Sequence, residues 1–306
     1  MSTPIPSVIA VGLVKAGKST YIAALSYVIQ SQEIPTRLKL HKLDDALDYV
    51  NLLVADWLQC KEFERTKGGA HGVAFHLKDG EVPVGTIAFP DISGETFEEQ
   101  WNFREWEHQF ASLAKNAAGI LFFVHPLHVV KPFSKVDSAA VLAAAMGTPN
   151  GAAATEDVSA PSTNSTAAPK SPESELWEPK LAAPQSKLVD ILQMIAWNSD
   201  PRQRPIRMAV LISAWDIVTS AVVQPPPPEK WLRESAPLLH QYLTMNPELF
   251  DWRTFGVSAQ GGDNKRDGNS LRHLDEPSKR VRIDGAEGSE HDITWPLAWV
   301  LKSNGT

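Results

Sequence analysis

The apolar run Val8–Val11 leads directly into Gly12-Leu-Val-Lys-Ala-Gly-Lys-Ser-Thr20, and no other stretch restricts the fold as tightly. Gly12, Gly17, Lys18 and Ser19 complete the pattern G-x-x-x-x-G-K-[ST]. That pattern makes chemical sense only between a buried strand and the start of a helix. There the glycines let the backbone amides of Lys15, Ala16, Gly17 and Thr20 turn inward around phosphate, and the helix N-terminus adds partial positive charge. Lys18 is placed to reach the β- and γ-phosphates, and Ser19 offers its hydroxyl to Mg²⁺. The flanks agree. Residues 7–11 read as a short buried strand, and Ser19 to about Gln30 reads as a helix with Ile22, Ala23, Leu25 and Ile29 at helical spacing.

Further along, a helix is expected from Lys42 to Glu64, where Leu43, Leu47, Val50, Val54, Trp57 and Leu58 recur at helical intervals. Two β-type runs follow, Val73–Leu77 and Val84–Phe89. Asp79-Gly80 between them predicts an antiparallel hairpin. Helices are expected at Phe97–Ala114, Lys187–Trp197, Glu229–Met245 and Trp295–Leu301, and buried strands at Ala118–Val124, Arg207–Ser213 and Trp252–Val257. Pro225–Pro228 reads as a stiff spacer. Alternating strands and helices predict a three-layer α/β architecture with a mainly parallel sheet. Residues 136–175 are rich in Ala, Ser, Thr and Pro with almost no large apolar side chain, which predicts a disordered insertion, although Ser138–Met146 is compatible with a helix.

Composition narrows the function. A net charge of −7 argues against nucleic-acid binding by bulk electrostatics. The single cysteine, Cys60, excludes a disulfide framework and fits a reducing compartment. No apolar run reaches the length of a membrane span, and no basic region precedes the first apolar segment, so the chain reads as cytoplasmic.

A second signal closes the hairpin: Phe89-Pro-Asp91-Ile-Ser-Gly94-Glu95. An Asp leaving a strand tip can hold Mg²⁺ through water. A Gly three residues on can offer its amide to a γ-phosphate, ordering the loop only when that phosphate is present. Phosphate loop, antiparallel hairpin and D-x-x-G, in this order, resemble the translation-factor-like (TRAFAC) class of GTPases. The resemblance implies a P-loop NTPase fold whose mainly parallel sheet contains one antiparallel hairpin, made by its second and third strands. The domain would span 5–304, interrupted by the insertion.

The resemblance also implies a base-reading N-K-x-D at the tip of a later buried strand, where this chain has Ser213-Ala214-Trp215-Asp216. The Asp is kept; the Asn and the Lys are not. Asp216 can accept from N1–H and the 2-amino group of guanine. Adenine presents neither, so a carboxylate left unpaired discriminates against it by several kcal/mol. Ser213 replaces part of the missing Asn, and Trp215 is the residue available to cover the base. The class's last loop, S-A-K, is matched by Ser258-Ala259-Gln260, whose amides can contact the base oxygen. Thr66 is best placed as the switch threonine on Mg²⁺, with Thr36 as runner-up.

Lys18 and Glu95 are the catalytic candidates. Glu95 stands where many relatives carry a water-orienting Gln, and a carboxylate there sits unfavourably close to the γ-phosphate. Hydrolysis is therefore slow without a partner, or the water is positioned otherwise. Arg65 and Arg104 lie near the expected switches but read as surface residues. His125 and His128 lack a third metal ligand, the ten tryptophans read as chiefly core, and Lys279–Arg282 reads as a solvated loop. The "ERT", "DISGE" and "SAWD" segments, the insertion and the terminal "WPLAWVL" together resemble the bacterial double-GTPase family. That resemblance implies a GTP- and Mg²⁺-dependent regulatory switch with protein partners in a conflict or stress system, and leaves GTP-dependent dimerisation open. A nucleotide-binding scaffold with negligible turnover and a P-loop kinase are the alternatives.

Overall fold

Alternation along β1 (Ser7–Val11) sets the layering: Val8 and Ala10 turn into one apolar core and Ile9 and Val11 into another. The chain is described by a computed structural model over residues 6–43, 47–63, 72–90, 94–103, 105–106, 108–129, 179 and 182–302. The 136–175 insertion and the expected helix at Ser138–Met146 lie outside the described residues.

The other strands are β2 (Lys39–Leu43), β3 (Val73–Asp79), β4 (Val82–Phe89), β5 (Ala117–Val124), β6 (Ile206–Ser213), β7 (Phe250–Ser258) and β8 (Arg282–Asp284). They form a sheet in the order β2-β3-β4-β1-β5-β6-β7-β8. The five strands β4, β1, β5, β6 and β7 run parallel to one another. On the face of Val8 and Ala10 lie α1 (Lys18–Ser31), α2 (Leu47–Leu58) and the C-terminal α10 (Trp295–Leu301). On the other lie α3 (Gly94–Phe103), α4 (His108–Asn116), α5 (Pro184–Asn198), α6 (Trp215–Ser220), α7 (Pro228–Ser235) and α8 (Pro237–Met245). A short α9 (Gly268–Arg272) sits in the β7–β8 connection. This is the three-layer α/β arrangement of a P-loop fold.

The expected hairpin is β3–β4, antiparallel, with Gly80 at φ 59° in its turn. Both edges add antiparallel pairing that the sequence did not announce, β2 against β3 and β8 against β7. The hairpin is thus formed by the third and fourth strands. Lys42 and Leu43, expected to open a helix, end β2 instead. A register shift between Leu40 and Lys42 puts an extra residue in that strand, and Leu40 and Leu43 both pack against the core. Such a bulge gives a strand the i, i+3 spacing of a helix.

Two expected helices are each divided. Phe97 and Phe110 meet edge to face with centroids 5.2 Å apart. In one continuous helix they would stand roughly 20 Å apart along the axis, so the chain must turn back between α3 and α4. Glu229–Met245 breaks because Pro237 forces Ala236 out of the helical region, to φ −126° and ψ 57°.

Candidate functional site

Because β4, β1, β5, β6 and β7 are parallel, Phe89, Val11, Val124, Ser213 and Ser258 end at the same edge of the sheet. In open α/β sheets the crevice outside these carboxyl ends is where ligands bind. The loop from Gly12 to Gly17 leaves the middle of that edge, between β4 and β5.

Sterics explain both glycines. A Cβ on Gly12 would stand 2.8 Å from Phe123 Cβ and 2.9 Å from the Phe123 carbonyl oxygen. Gly17 has φ 91°, and a Cβ there would stand 2.9 Å from Ser213 Cβ. Lys15 is also left-handed, at φ 57°, which costs a non-glycine residue about 1 kcal/mol. Left-handed residues at 15 and 17 aim successive N–H groups toward one side, the geometry of an anion nest. The Ala16 amide is used inside the loop, donating to the Leu13 carbonyl at 3.2 Å. No side chain caps α1, so the first-turn amides of Lys18, Ser19 and Thr20 have no partner within the helix. Lys18 Nζ donates to the carbonyls of Gly12 at 2.5 Å and Leu13 at 3.1 Å. Burial lowers its pKa to about 8, so an anion beside it would restore the ordinary charge of a lysine.

The base-reading candidates assemble next door. Ser213 touches Gly17 and donates to the Val124 carbonyl at 3.4 Å, tying the tip of β6 to β5. Ala214 turns the chain at φ 47° into α6. Ser258, at the end of β7 and buried, donates to Asp216 Oδ1 at 2.6 Å. Asp216 is half-buried, and its second carboxylate oxygen accepts no hydrogen bond from the described residues. Phosphate loop, carboxylate and Ser258-Ala259 segment therefore adjoin at one edge. The model of the family described as Double-GTPase 1 matches residues 9–300. The chain belongs to the Double-GTPase 1 family. It is a family of P-loop GTPases, and membership supports guanine-nucleotide binding and GTP hydrolysis as the general activity. No curated protein matches the chain.

Several expectations change in this double-GTPase. Trp215 does not cover the base position. Its indole is buried beneath the loop, donates to Asp284 Oδ2 at 3.1 Å, and lies over Gly256, where a Cβ would approach the ring to 2.5 Å. Thr36, the runner-up for the switch, lies away from the phosphate loop. Its hydroxyl donates to the Leu38 carbonyl at 2.9 Å, and the adjacent Arg37 pairs with Asp79 in the hairpin turn, at the opposite end of the sheet from the phosphate loop. Thr66, Asp91, Arg65 and Arg104 lie outside the described residues, as does the side chain of Glu95. Gly94 and Glu95 open α3. Trp197 is exposed rather than core.

The sequence reading missed Trp57 and Arg280. Trp57 is fully buried and donates from Nε1 to the Ala259 carbonyl at 3.0 Å. Arg280 is buried, not solvated. Its guanidinium lies 4.4 Å from the Trp57 ring and donates to the Trp57 carbonyl at 2.9 Å and the Leu58 carbonyl at 3.2 Å, capping α2. Gln260 Nε2 also donates to the Trp57 carbonyl, at 3.3 Å. The end of α2 thus holds the Ser258–Gln260 loop from behind. No local pattern links Trp57 with a carbonyl 202 residues away.

His125 and His128 stack with ring centroids 4.5 Å apart. No group of three or more His, Cys, Asp or Glu fit to hold a metal exists among the described residues. For Mg²⁺ the Ser19 hydroxyl, in the first turn of α1, could supply a hard oxygen. That donor chemistry suits an ion that takes few protein ligands and completes its shell with phosphate oxygens and water.

Proposed function

We propose that this chain is a Mg²⁺-dependent GTP-hydrolysing switch that acts through protein partners, built as one P-loop domain over 5–304 with the 136–175 segment inserted. One observation carries the reading: a phosphate loop packed on Ser213 adjoins a carboxylate, Asp216, held ready by Ser258. The first suits a polyphosphate, the second a purine bearing N1–H and a 2-amino group. Lys18 would exchange the Gly12 and Leu13 carbonyls for the β- and γ-phosphates. Asp216, with the amides of Ser258 and Ala259, would read the base. Ser19, Asp91 and Thr66 would hold Mg²⁺, which when bound neutralises phosphate charge and fixes the β- and γ-oxygens. Gly94 would sense the γ-phosphate, and Glu95 would orient water. Loss of the γ-phosphate would then release the segments around Thr66 and Asp91–Glu95, the form of signal that a regulatory partner in a cytoplasmic conflict or stress system can read. Neither nucleic acid nor membrane is part of the reading.

Calorimetry of GTP, GDP and ATP with and without Mg²⁺, together with phosphate release against a Lys18→Ala blank, tests the proposal. Mg²⁺-dependent binding of GTP well above ATP, with slow turnover absent from Lys18→Ala, is expected. Tighter binding of ATP overturns the guanine assignment. Tight GTP binding without phosphate release would favour a nucleotide-binding scaffold, the reading to which a Glu at position 95 also lends weight.

A further inference from the structure

Lys15 occupies a place in the phosphate loop where glycine would be more comfortable. It holds a left-handed backbone at φ 57°, as Gly17 does at φ 91°, yet it carries a long cationic side chain into solvent. Among the described residues no carboxylate or carbonyl pairs with its ammonium. Strain kept at one position of a functional loop calls for a function that repays it.

The surroundings leave that charge intact. The neighbouring wall is the stacked His125–His128 pair at the end of β5, with His125 Nδ1 accepting from the Leu127 N–H at 3.2 Å. Burial, then the charge of His128, pushes the His125 pKa down to about 4, and burial, then the Lys15 ammonium, lowers that of His128. Both imidazoles are therefore neutral near pH 7, so they neither pair with Lys15 nor repel it. The segments 12–20, 90–103, 125–129 and 214–220, which begin the connections after β1, β4, β5 and β6 at this edge, contain no arginine.

We propose that Lys15 is a built-in charge-stabilising residue for GTP hydrolysis, its ammonium offsetting the negative charge that develops between the β- and γ-phosphates. The inference rests on the GTPase reading above and deepens it. In the reaction the water oxygen bonds to the γ-phosphorus and the bond from that phosphorus to the β–γ bridging oxygen breaks. The bonding pair stays on the bridging oxygen as part of GDP, and the proton lost by the water leaves with phosphate or to solvent. Charge on the bridging oxygen grows along this path, so a cation there favours the transition state over bound GTP. Lys18, half-buried and directed to the loop carbonyls, grips the ground state. Lys15, exposed and without a partner among the described residues, is free to follow the change.

The test uses the full chain with Lys15→Gly, Lys15→Met and Lys15→Arg. Single-turnover GTP hydrolysis at saturating protein is measured beside the dissociation constant for GDP and the thermal midpoint. Lys15→Gly and Lys15→Met are expected to hydrolyse GTP at least about tenfold more slowly, with GDP affinity within about threefold of wild type and Lys15→Arg retaining most of the rate. The strain relieved in Lys15→Gly and the added unfolded-state entropy of glycine oppose each other at about 1 kcal/mol each, so its midpoint should stay within about 2 °C of wild type. A Lys15→Gly rate equal to wild type overturns the proposal. So does a loss of GDP affinity in proportion to the rate, which would make Lys15 an ordinary phosphate ligand. A wild-type chain with no turnover above the Lys18→Ala blank overturns the GTPase reading itself, and is told apart because wild type and every variant then give the same trace.

Discussion

Asp216→Asn exchanges one carboxylate oxygen for an NH₂ group and leaves the size of the side chain unchanged. Ser258 Oγ donates to Asp216 Oδ1 at 2.6 Å from a buried position. In the variant that hydroxyl selects the amide oxygen, so the NH₂ faces the base. The proposed guanine contacts, N1–H and the 2-amino group, then meet a donor instead of an acceptor. A hydrogen bond to a charged group contributes roughly 1.5–3 kcal/mol, and a donor left facing a donor costs about 1–3 kcal/mol more. Taking about 3–4 kcal/mol together, GTP affinity should fall by a factor of roughly 100 to 1,000. Xanthosine triphosphate carries a carbonyl where guanine has its 2-amino group, so it should bind the variant better than it binds wild type. Calorimetry of both nucleotides on both proteins measures the exchange, and a thermal melt confirms that the fold is kept. Unchanged GTP affinity, or xanthosine triphosphate binding no better to the variant, would refute the assignment of Asp216 to the base.

Two further outcomes follow from the site. The unliganded Lys18 ammonium loses its proton near pH 8, whereas phosphate requires the charged form. Affinity should therefore be flat below neutral pH and fall as pH rises through 8. GTP should bind about fourfold more weakly at pH 8.5 than at pH 7, with proton uptake on binding rising from about 0.1 to about 0.75, as calorimetry in two buffers of different ionisation heat would detect; uptake independent of pH would contradict it. Trp57→Phe removes the donor to the Ala259 carbonyl and leaves a buried acceptor unpaired, a cost of about 1–3 kcal/mol in chemical denaturation. Its GTP affinity should fall more than that of a surface variant of equal stability, and an unchanged affinity would show that the base loop does not depend on α2.

The sequence by itself determined the phosphate loop, the β3–β4 hairpin and the buried strands β5 and β6, because each is written in a window of ten residues or so. Glycines at two spacings, a turn dipeptide and unbroken apolar runs all act on their immediate neighbours. It could not determine β2, whose bulge imitates helical spacing, or β8, three residues within a polar stretch whose pairing depends on the edge that β7 offers. The candidate base pocket divides in the same way. Asp216 and Ser258 were each legible from their loops, but the hydrogen bond between them exists only because parallel β6 and β7 end together. Trp215 lies beneath its loop instead of over the base because Gly256, forty-one positions along, leaves room for the indole. Trp57 reaches Ala259 only when α2 packs across α1. Local periodicity decides which way a side chain faces on its own element; what it faces is decided by the order in which the strands are laid side by side.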